Sequence, residues 1–268
     1  MKAQVSLTPT ESKRLIAKAV KEHQKVKDAL ENGIVAIALG STNAFVAEEI
    51  LGRTIEKERY VAGIVDEKGS CVVPAKERIK EFVLERGKVI EEGLEDVVNR
   101  MGPKDLVIKG GNALDFDGVV GVMLGSETGG TIGRVLGILK ARGIPLIIPI
   151  GLEKLVPYSI SDVSTKTGIY AMDLSTGIPV GIMPVSGEVI TELEAFEILV
   201  GVETYPMGSG GMGGAEGSHT FLLEGSEEDV EKAFELVKGV KGEAPMVALR
   251  GDCTSCIYIQ CPKNIKHS

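Results

Sequence analysis

The chain has 268 residues, 43% of them hydrophobic, and a formal net charge of −8. That length suits one large α/β domain or two modest ones with ample material for a core. The acidic balance, spread along the chain, offers no basic patch for nucleic acid or an anionic membrane. No apolar run reaches the roughly 18 residues of a spanning helix, and MKAQVSLTPTESKR lacks the apolar stretch of a signal peptide, so the expected location is cytoplasmic. The 34 glycines follow no repeat and indicate many tight turns.

From the N-terminus, Thr8 is placed to cap a helix, Pro9 takes its first position and Glu11 stands three residues after the cap, a capping box. The helix is expected to run to about residue 31, where Asn32-Gly33 supplies a left-handed stop. Residues 34–39 are a short apolar run of the kind found in a buried parallel strand. GSTN (40–43) and the helical AFVAEEILG come next, giving strand, turn and helix. YVAGIV (60–65) and CVVP (71–74) read as strands around the turn at 66–69. FVLERGKVI reads as a hairpin around Arg86-Gly87, and GLEDVVNRM as a short helix.

From Asp105 the alternation is regular: strand DLVIK, loop GGNALDFDG, strand VVGVML, loop GSETGG, helix TIGRVLGILKARG and strand IPLIIPI. Such alternation implies crossovers and a Rossmann-like parallel sheet with helices on both faces. Beyond about residue 166 the order becomes strand IPVGIMPV, helix EVITELEAFEILVG, strands VETYP and HTFLLEG, helix SEEDVEKAFELVKGV and strand APMVALRG. That β-α-β-β-α-β order predicts a small ferredoxin-like α+β domain. The expected division is therefore 1–170 for the larger domain, 171–250 for the smaller, and 251–268 for a cysteine-containing tail. MGSGGMGGAEGS (207–218) reads as a mobile loop or lid.

In open parallel sheets ligands bind beyond the carboxyl ends of the strands. Three loops fit that position: Gly40-Ser41-Thr42, Gly110-Gly111-Asn112, and 126–131, which holds Gly129, Gly130 and Thr131. Two of them open a helix, so unfilled backbone N–H groups and the positive end of the helix dipole would face an anion. A phosphate or carboxylate is the expected guest. Lys109, Arg134 and Lys154 are the cations available to neutralise it; for each, the alternative is a solvated surface charge. Carboxylates at the same edge are Asp115, Asp117 and Glu127. DFDG is also an ordinary turn sequence, so Asp115 and Asp117 carry a turn reading beside the catalytic one. Glu127, in a glycine-flanked loop at a helix start, has the better claim to proton transfer.

The tail GDCTSCIYIQCP holds Cys253, Cys256 and Cys261, with Cys71 elsewhere. A completing CxxC is absent and His23, His219 and His267 show no ligand spacing. Reduced thiols on or near a strand are expected, with no metal and no cofactor.

IVAIALGSTNAFVAEEILG resembles the first strand and phosphate-binding GST turn of the ribose-5-phosphate isomerases. IPLIIPIGLEKLV resembles their later strand and lysine-containing turn, and IPVGIMPV with its β-α-β-β-α-β pattern resembles their small second domain. The chain thus resembles the superfamily of ribose-5-phosphate isomerase A, glucosamine-phosphate deaminase and the CoA-transferases over most of its length, excepting about residues 54–104. Two registers carry different implications. Matching VIKGGNALDFDG to the isomerase KGGG signature implies Lys109 as the substrate lysine and puts Asp117 near the catalytic glutamate. Counting back from IPLIIPIGLEKLV instead implies GSETGG as the KGGG counterpart. Lys109 and Asn112 then replace the aspartates of the acidic loop, and the catalytic glutamate falls near Arg134 or Val135. The second register also resembles methylthioribose-phosphate isomerase and its initiation-factor relatives, with Asn112 again where their aspartate stands.

Three functions are expected from these features. The first is an oligomeric enzyme that binds a sugar phosphate and isomerises it. Asp117 or Glu127 would be the base, Lys109 the electrophilic partner, and Ser41-Thr42 the phosphate clamp. The second is a non-catalytic ligand-binding or regulatory protein on the same fold. The third is a CoA-dependent transferase with Glu127 as its nucleophile.

Overall fold

The computed structural model describes residues 1–256, 258, 261 and 262. It opens with a strand that local sequence signals do not announce, β1 (Lys2–Leu7), whose Val5 and Leu7 are buried while Lys2, Gln4 and Ser6 are exposed. Thr8 and Glu11 form the expected capping box of α1 (Pro9–Glu22). The single helix expected to residue 31 is broken: His23 adopts extended backbone and α2 (Gln24–Asn32) starts anew after it. The break lets α1 pack on α3 and α7 while α2 turns onto strands of the main sheet. Gly33 ends α2 in extended rather than left-handed backbone. Close approach is what requires glycine here, since a Cβ would lie 2.7 Å from the Lys104 carbonyl oxygen.

Then come β2 (Ile34–Ile37), α3 (Ser41–Leu51), the hairpin β3 (Gly63–Asp66) and β4 (Gly69–Val72), and the hairpin β5 (Phe82–Glu85) and β6 (Lys88–Ile90). The short helix α4 (Leu94–Val97) leads to β7 (Leu106–Ile108), β8 (Ala113–Leu114), β9 (Val120–Leu124), α5 (Gly130–Arg142) and β10 (Leu146–Pro149). The remainder is α6 (Ile160–Ser164), β11 (Gly181–Val185), β12 (Glu188–Ile190), α7 (Glu192–Val200), β13 (Glu203–Gly210), β14 (Ser218–Glu224) and α8 (Glu227–Val240).

The molecule is mixed α/β. A six-stranded sheet runs β12-β10-β7-β2-β5-β6. Its first four strands are mutually parallel, and the β5–β6 hairpin adds antiparallel to β2. Every residue of β2, β7 and β10 is buried, which is why these segments read as continuous apolar runs rather than alternating ones. Tyr60 pins the sheet from one side. Its buried hydroxyl donates to the Ile37 carbonyl at 2.5 Å and accepts from the Phe82 N–H at 3.0 Å.

The second half departs from the expected ferredoxin-like order. IPVGIMPV supplies β11, which pairs antiparallel with β9, and β12 joins the main sheet beside β10. APMVALRG forms no strand. The sheet beside α7 and α8 is instead β1-β14-β13, fully antiparallel, with the N-terminal strand paired to β14. Buried side chains from Val5 to Val240 form one connected core. The glycine-rich loop is shorter than expected, because β13 continues to Gly210 and pairs with β14 up to Ser218. No described helix is long and apolar enough to cross a membrane.

Candidate functional site

The carboxyl ends of β2, β7 and β10 lie side by side, and Asn43 fixes two of them. It is fully buried, and its amide nitrogen donates to the carbonyls of Ala38 (2.7 Å) and Ile108 (3.1 Å), the residues where β2 and β7 give way to loops. α3 starts immediately after Gly40 and carries no side-chain cap, so its first-turn N–H groups have neither an intrahelical nor a capping partner. Thr42 is buried, and among the described residues its hydroxyl has no partner. α5 likewise begins after Gly129 without a side-chain cap.

These features open on one cavity of about 410 Å³. Its floor is Gly40, Ser41, Thr42, Lys109, Gly110, Gly111 and Asn112, and its sides are Gly129, Gly130, Thr131 and Lys154. The rest of the lining is mostly apolar, from the β3–β4 hairpin, whose Ser70 and Cys71 are the exceptions, and from β9, Ile178 and Val180. Ser70 and Ile178 tie that lining together through a hydroxyl-to-carbonyl bond of 2.6 Å and a backbone bond of 2.9 Å. Gly69 (φ 93°) is needed there, because a Cβ would fall 1.2 Å from the Thr176 carbonyl.

Charge is what distinguishes the cavity. Lys109, Lys154, Arg78 and Arg134 all line it, and among the described residues no aspartate or glutamate does. In a chain of net charge −8 this is a local inversion of sign. The Lys109 ammonium donates to the Gly110 carbonyl and the Lys154 ammonium to the Gly111 carbonyl, each at 2.8 Å. Burial, with the neighbouring Lys154 charge, pushes Lys109 down to about 8. Burial also pushes Lys154 down to about 8, opposed by Glu153 and Glu192 and assisted by Lys13. Burial lowers Arg78 as well, with Tyr258 opposing.

Behind Lys154 sits a buried ionic group. Lys13 pairs with Glu153 at 2.9 Å. Against the cost of burial, Lys13 and Lys154 hold Glu153 below the usual carboxylate range. Glu192 is fully buried and accepts from the Leu152 N–H at 2.9 Å. Burial and the Glu153 charge push it up to about 7.

No family model, no curated protein and no solved structure matches this chain. The chemistry of the cavity is therefore the ground for a functional reading.

All the candidate binding residues, Gly40, Ser41, Thr42, Gly110, Gly111, Asn112, Gly129, Gly130, Thr131 and Lys154, meet in this one cavity, as do Lys109 and Arg134. Asp117 and Glu127 do not. Asp117 is exposed on the DFDG turn, and the Tyr170 hydroxyl donates to the exposed Glu127 carboxylate. Asp115 is the turn's organiser. Its buried carboxylate accepts from the N–H groups of Asp117 (3.1 Å), Val119 (2.9 Å) and Ile160 (3.0 Å). Asn112 accepts from the Met123 N–H at 3.0 Å. Gly111 is glycine because a Cβ would lie 2.1 Å from Val120 Cγ1. Gly111 thus packs closely on β9, Gly110 lies against the Pro149 carbonyl of β10, and the carbonyls of the two glycines hold the two lysines.

Arg78, Cys71 and Tyr258 carry no sequence signal that marks them as cavity residues, and none marks Asn43 as the residue that bridges two strand ends. Arg78 and Cys71 lie in the stretch with the weakest periodicity, and Asn43 looks like one more residue of a turn. None of the four cysteines forms a disulfide. Among the described residues no group of histidines, cysteines and carboxylates is arranged to hold a metal. The expectation of thiols on a strand near CIYIQC falls partly on residues 257, 259 and 260, which lie outside the described residues.

A larger and more open cleft of about 610 Å³ lies beside β5 and β6. Its wall mixes Arg53 and Lys80 with Glu56, Glu81 and Glu91 and contains no glycine loop, so it has neither the sign nor the backbone donors of an anion site.

Proposed function

We propose that this chain binds a phosphorylated small molecule, a sugar phosphate, in the cavity at the carboxyl ends of β2, β7 and β10. The observation that carries the reading is the sign of the cavity: four cations and, among the described residues, no lining carboxylate. Two uncapped helix starts supply backbone donors, and the buried Thr42 hydroxyl has no partner among the described residues. The mostly apolar lining from the hairpin and β9 suits the carbon skeleton of such a ligand. Parallel strands with loops gathered at their carboxyl ends favour a Rossmann-like mode of use for this part of the sheet. The likeness to the ribose-5-phosphate isomerase superfamily belongs to the same proposal. It is supported by the meeting of the Gly40-Ser41-Thr42 turn and Lys154 in one cavity.

The reading gives Asp117 and Glu127 no part in proton transfer, since neither borders the cavity. The transferase alternative loses its nucleophile for the same reason. The test is thermal unfolding with ribose 5-phosphate, inorganic phosphate and unphosphorylated ribose. A ligand that binds only the folded state at about 100 times its dissociation constant adds about 2.7 kcal/mol of stability. Both phosphates are expected to raise the melting temperature and ribose to leave it unchanged, with the effect cut to about half or less in Lys154→Met. Equal shifts from ribose and its phosphate, or none from any of the three, would overturn the reading.

A further inference from the structure

The two cavity lysines are not equivalent, and their difference has chemical content. Lys154 backs onto carboxylates: Glu153 and Glu192 both act on it from behind the cavity. Lys109 has no acid acting on it, its charged neighbour being Lys154 itself. Both amines are held by successive carbonyls, Gly110 and Gly111, and both border the same space. The other ionisable side chains on the wall are Arg78, Arg134, Cys71 and Tyr258. A lysine stripped of water and set beside another cation is the arrangement that releases a nucleophilic amine near neutral pH.

We propose that Lys109 forms an imine with the carbonyl carbon of a phosphorylated aldehyde or ketone bound in this cavity, with Lys154 as the proton donor and acceptor for the step. This rests on the anion-site reading above and adds a covalent chemistry to it. The lone pair of the neutral Lys109 Nζ attacks the carbonyl carbon, and the C=O π pair moves to oxygen. That oxygen takes a proton from the Lys154 ammonium, and the new N–H₂⁺ returns one to Lys154, leaving a neutral carbinolamine. The hydroxyl then takes the Lys154 proton and leaves as water while the nitrogen lone pair closes the C=N⁺H bond. One positive charge has moved from Lys154 to the iminium and one water is released, so atoms and charge balance. No oxidant or metal is required. The roles are assigned by charge: Lys154, with Glu153 and Glu192 at its back, is the lysine that keeps a proton to give, and Lys109 is the one that attacks. Burial helps this chemistry, because a water-poor wall disfavours hydrolysis of the imine.

The test uses the full chain, dihydroxyacetone phosphate as probe and sodium borohydride, which reduces an iminium to a stable secondary amine. A ketone is chosen because surface lysines condense with it far less than with aldehydes. Intact mass is expected to rise by one reduced adduct per chain, and peptide mapping to place it on Lys109. Inorganic phosphate in excess is expected to suppress it, and unphosphorylated dihydroxyacetone to give none at that residue. Lys109→Met is expected to abolish the adduct, and Lys154→Met to lower its rate at least about tenfold if one proton donor is worth that much. Localisation in the wild-type chain does not depend on either variant folding. Thermal stabilisation by dihydroxyacetone phosphate is measured on the same sample. Stabilisation without an adduct overturns the imine and leaves the anion site standing, while neither stabilisation nor adduct overturns both. An adduct spread over many lysines, or one that phosphate does not suppress, also overturns the imine.

Discussion

Replacing Glu192 by glutamine removes one ionisable group from the charged cluster beneath the cavity while keeping the shape of the side chain. Glu192 is fully buried, its carboxylate accepts from the Leu152 N–H at 2.9 Å, and its other oxygen has no partner. Burial and the Glu153 charge raise it from the ordinary 4.5 to about 7. Between those values the folded chain holds a proton that the unfolded chain has released, so unfolding becomes easier as pH rises through the window. The stability associated with the neutral carboxyl is fully present below about pH 4.5 and is lost by about pH 7. At about 1.4 kcal/mol per pH unit the total is roughly 3 kcal/mol. Glutamine still accepts from Leu152, and its amide can donate to the unpartnered oxygen of Glu153. Glu192→Gln is therefore expected to match the wild type near pH 5 and to exceed it by roughly 2 to 3 kcal/mol near pH 7.5. Urea unfolding at several pH values measures this directly. Lys154 loses in Glu192→Gln a carboxylate charge that opposes its depression, which trims the variant's gain toward the lower end of that range. A stability difference that stays constant from pH 5 to 7.5 would refute the burial argument.

Other substitutions separate structure from function. Asp115→Ala strips the acceptor from three backbone N–H groups and is expected to cost about 2 to 4 kcal/mol, whereas Asp117→Ala is expected to stay within about 0.5 kcal/mol; chemical denaturation distinguishes them. Asn43→Ala is expected to cost about 2 kcal/mol or more, because the carbonyls of Ala38 and Ile108 lose a buried donor. Thr42→Val removes a hydroxyl that no group among the described residues uses, so stability is expected to hold within about 1 kcal/mol while affinity for ribose 5-phosphate falls about tenfold by titration calorimetry. Gly69→Ala is expected to displace residues 175–178 and abolish phosphate-dependent stabilisation, since a Cβ at 1.2 Å from the Thr176 carbonyl cannot be accommodated in place.

The central strands were legible because fully buried parallel strands must be apolar throughout, and the segments holding β2, β7 and β10 are. The start of α1 was legible through its cap at Thr8, whereas EVI, expected as the opening of a helix, is strand β12 and α7 begins only after Thr191. What misled was partner choice. Nothing local tells IPVGIMPV to pair with β9, or Lys2–Leu7 to pair with β14, because strand pairing is decided by which buried faces must meet. The break at His23 has no proline or glycine to announce it and results from tertiary packing. At the site, glycine loops and helix starts are local features, so the residues that line the cavity were legible. The role of acids was not, because DFDG signals a turn and a carboxylate with equal strength. The cationic sign of the cavity emerges only when Arg78, far away in sequence, folds beside Lys109 and Lys154.

Calorimetric titration of ribose 5-phosphate into the wild-type chain and Lys154→Met, at low and raised salt, tests the phosphate cavity most directly. The account predicts one saturable site per chain that weakens with salt and is reduced at least about tenfold in the variant, the effect expected of losing one buried cation against phosphate. Binding that is absent in the wild type, or unchanged in Lys154→Met, would contradict it.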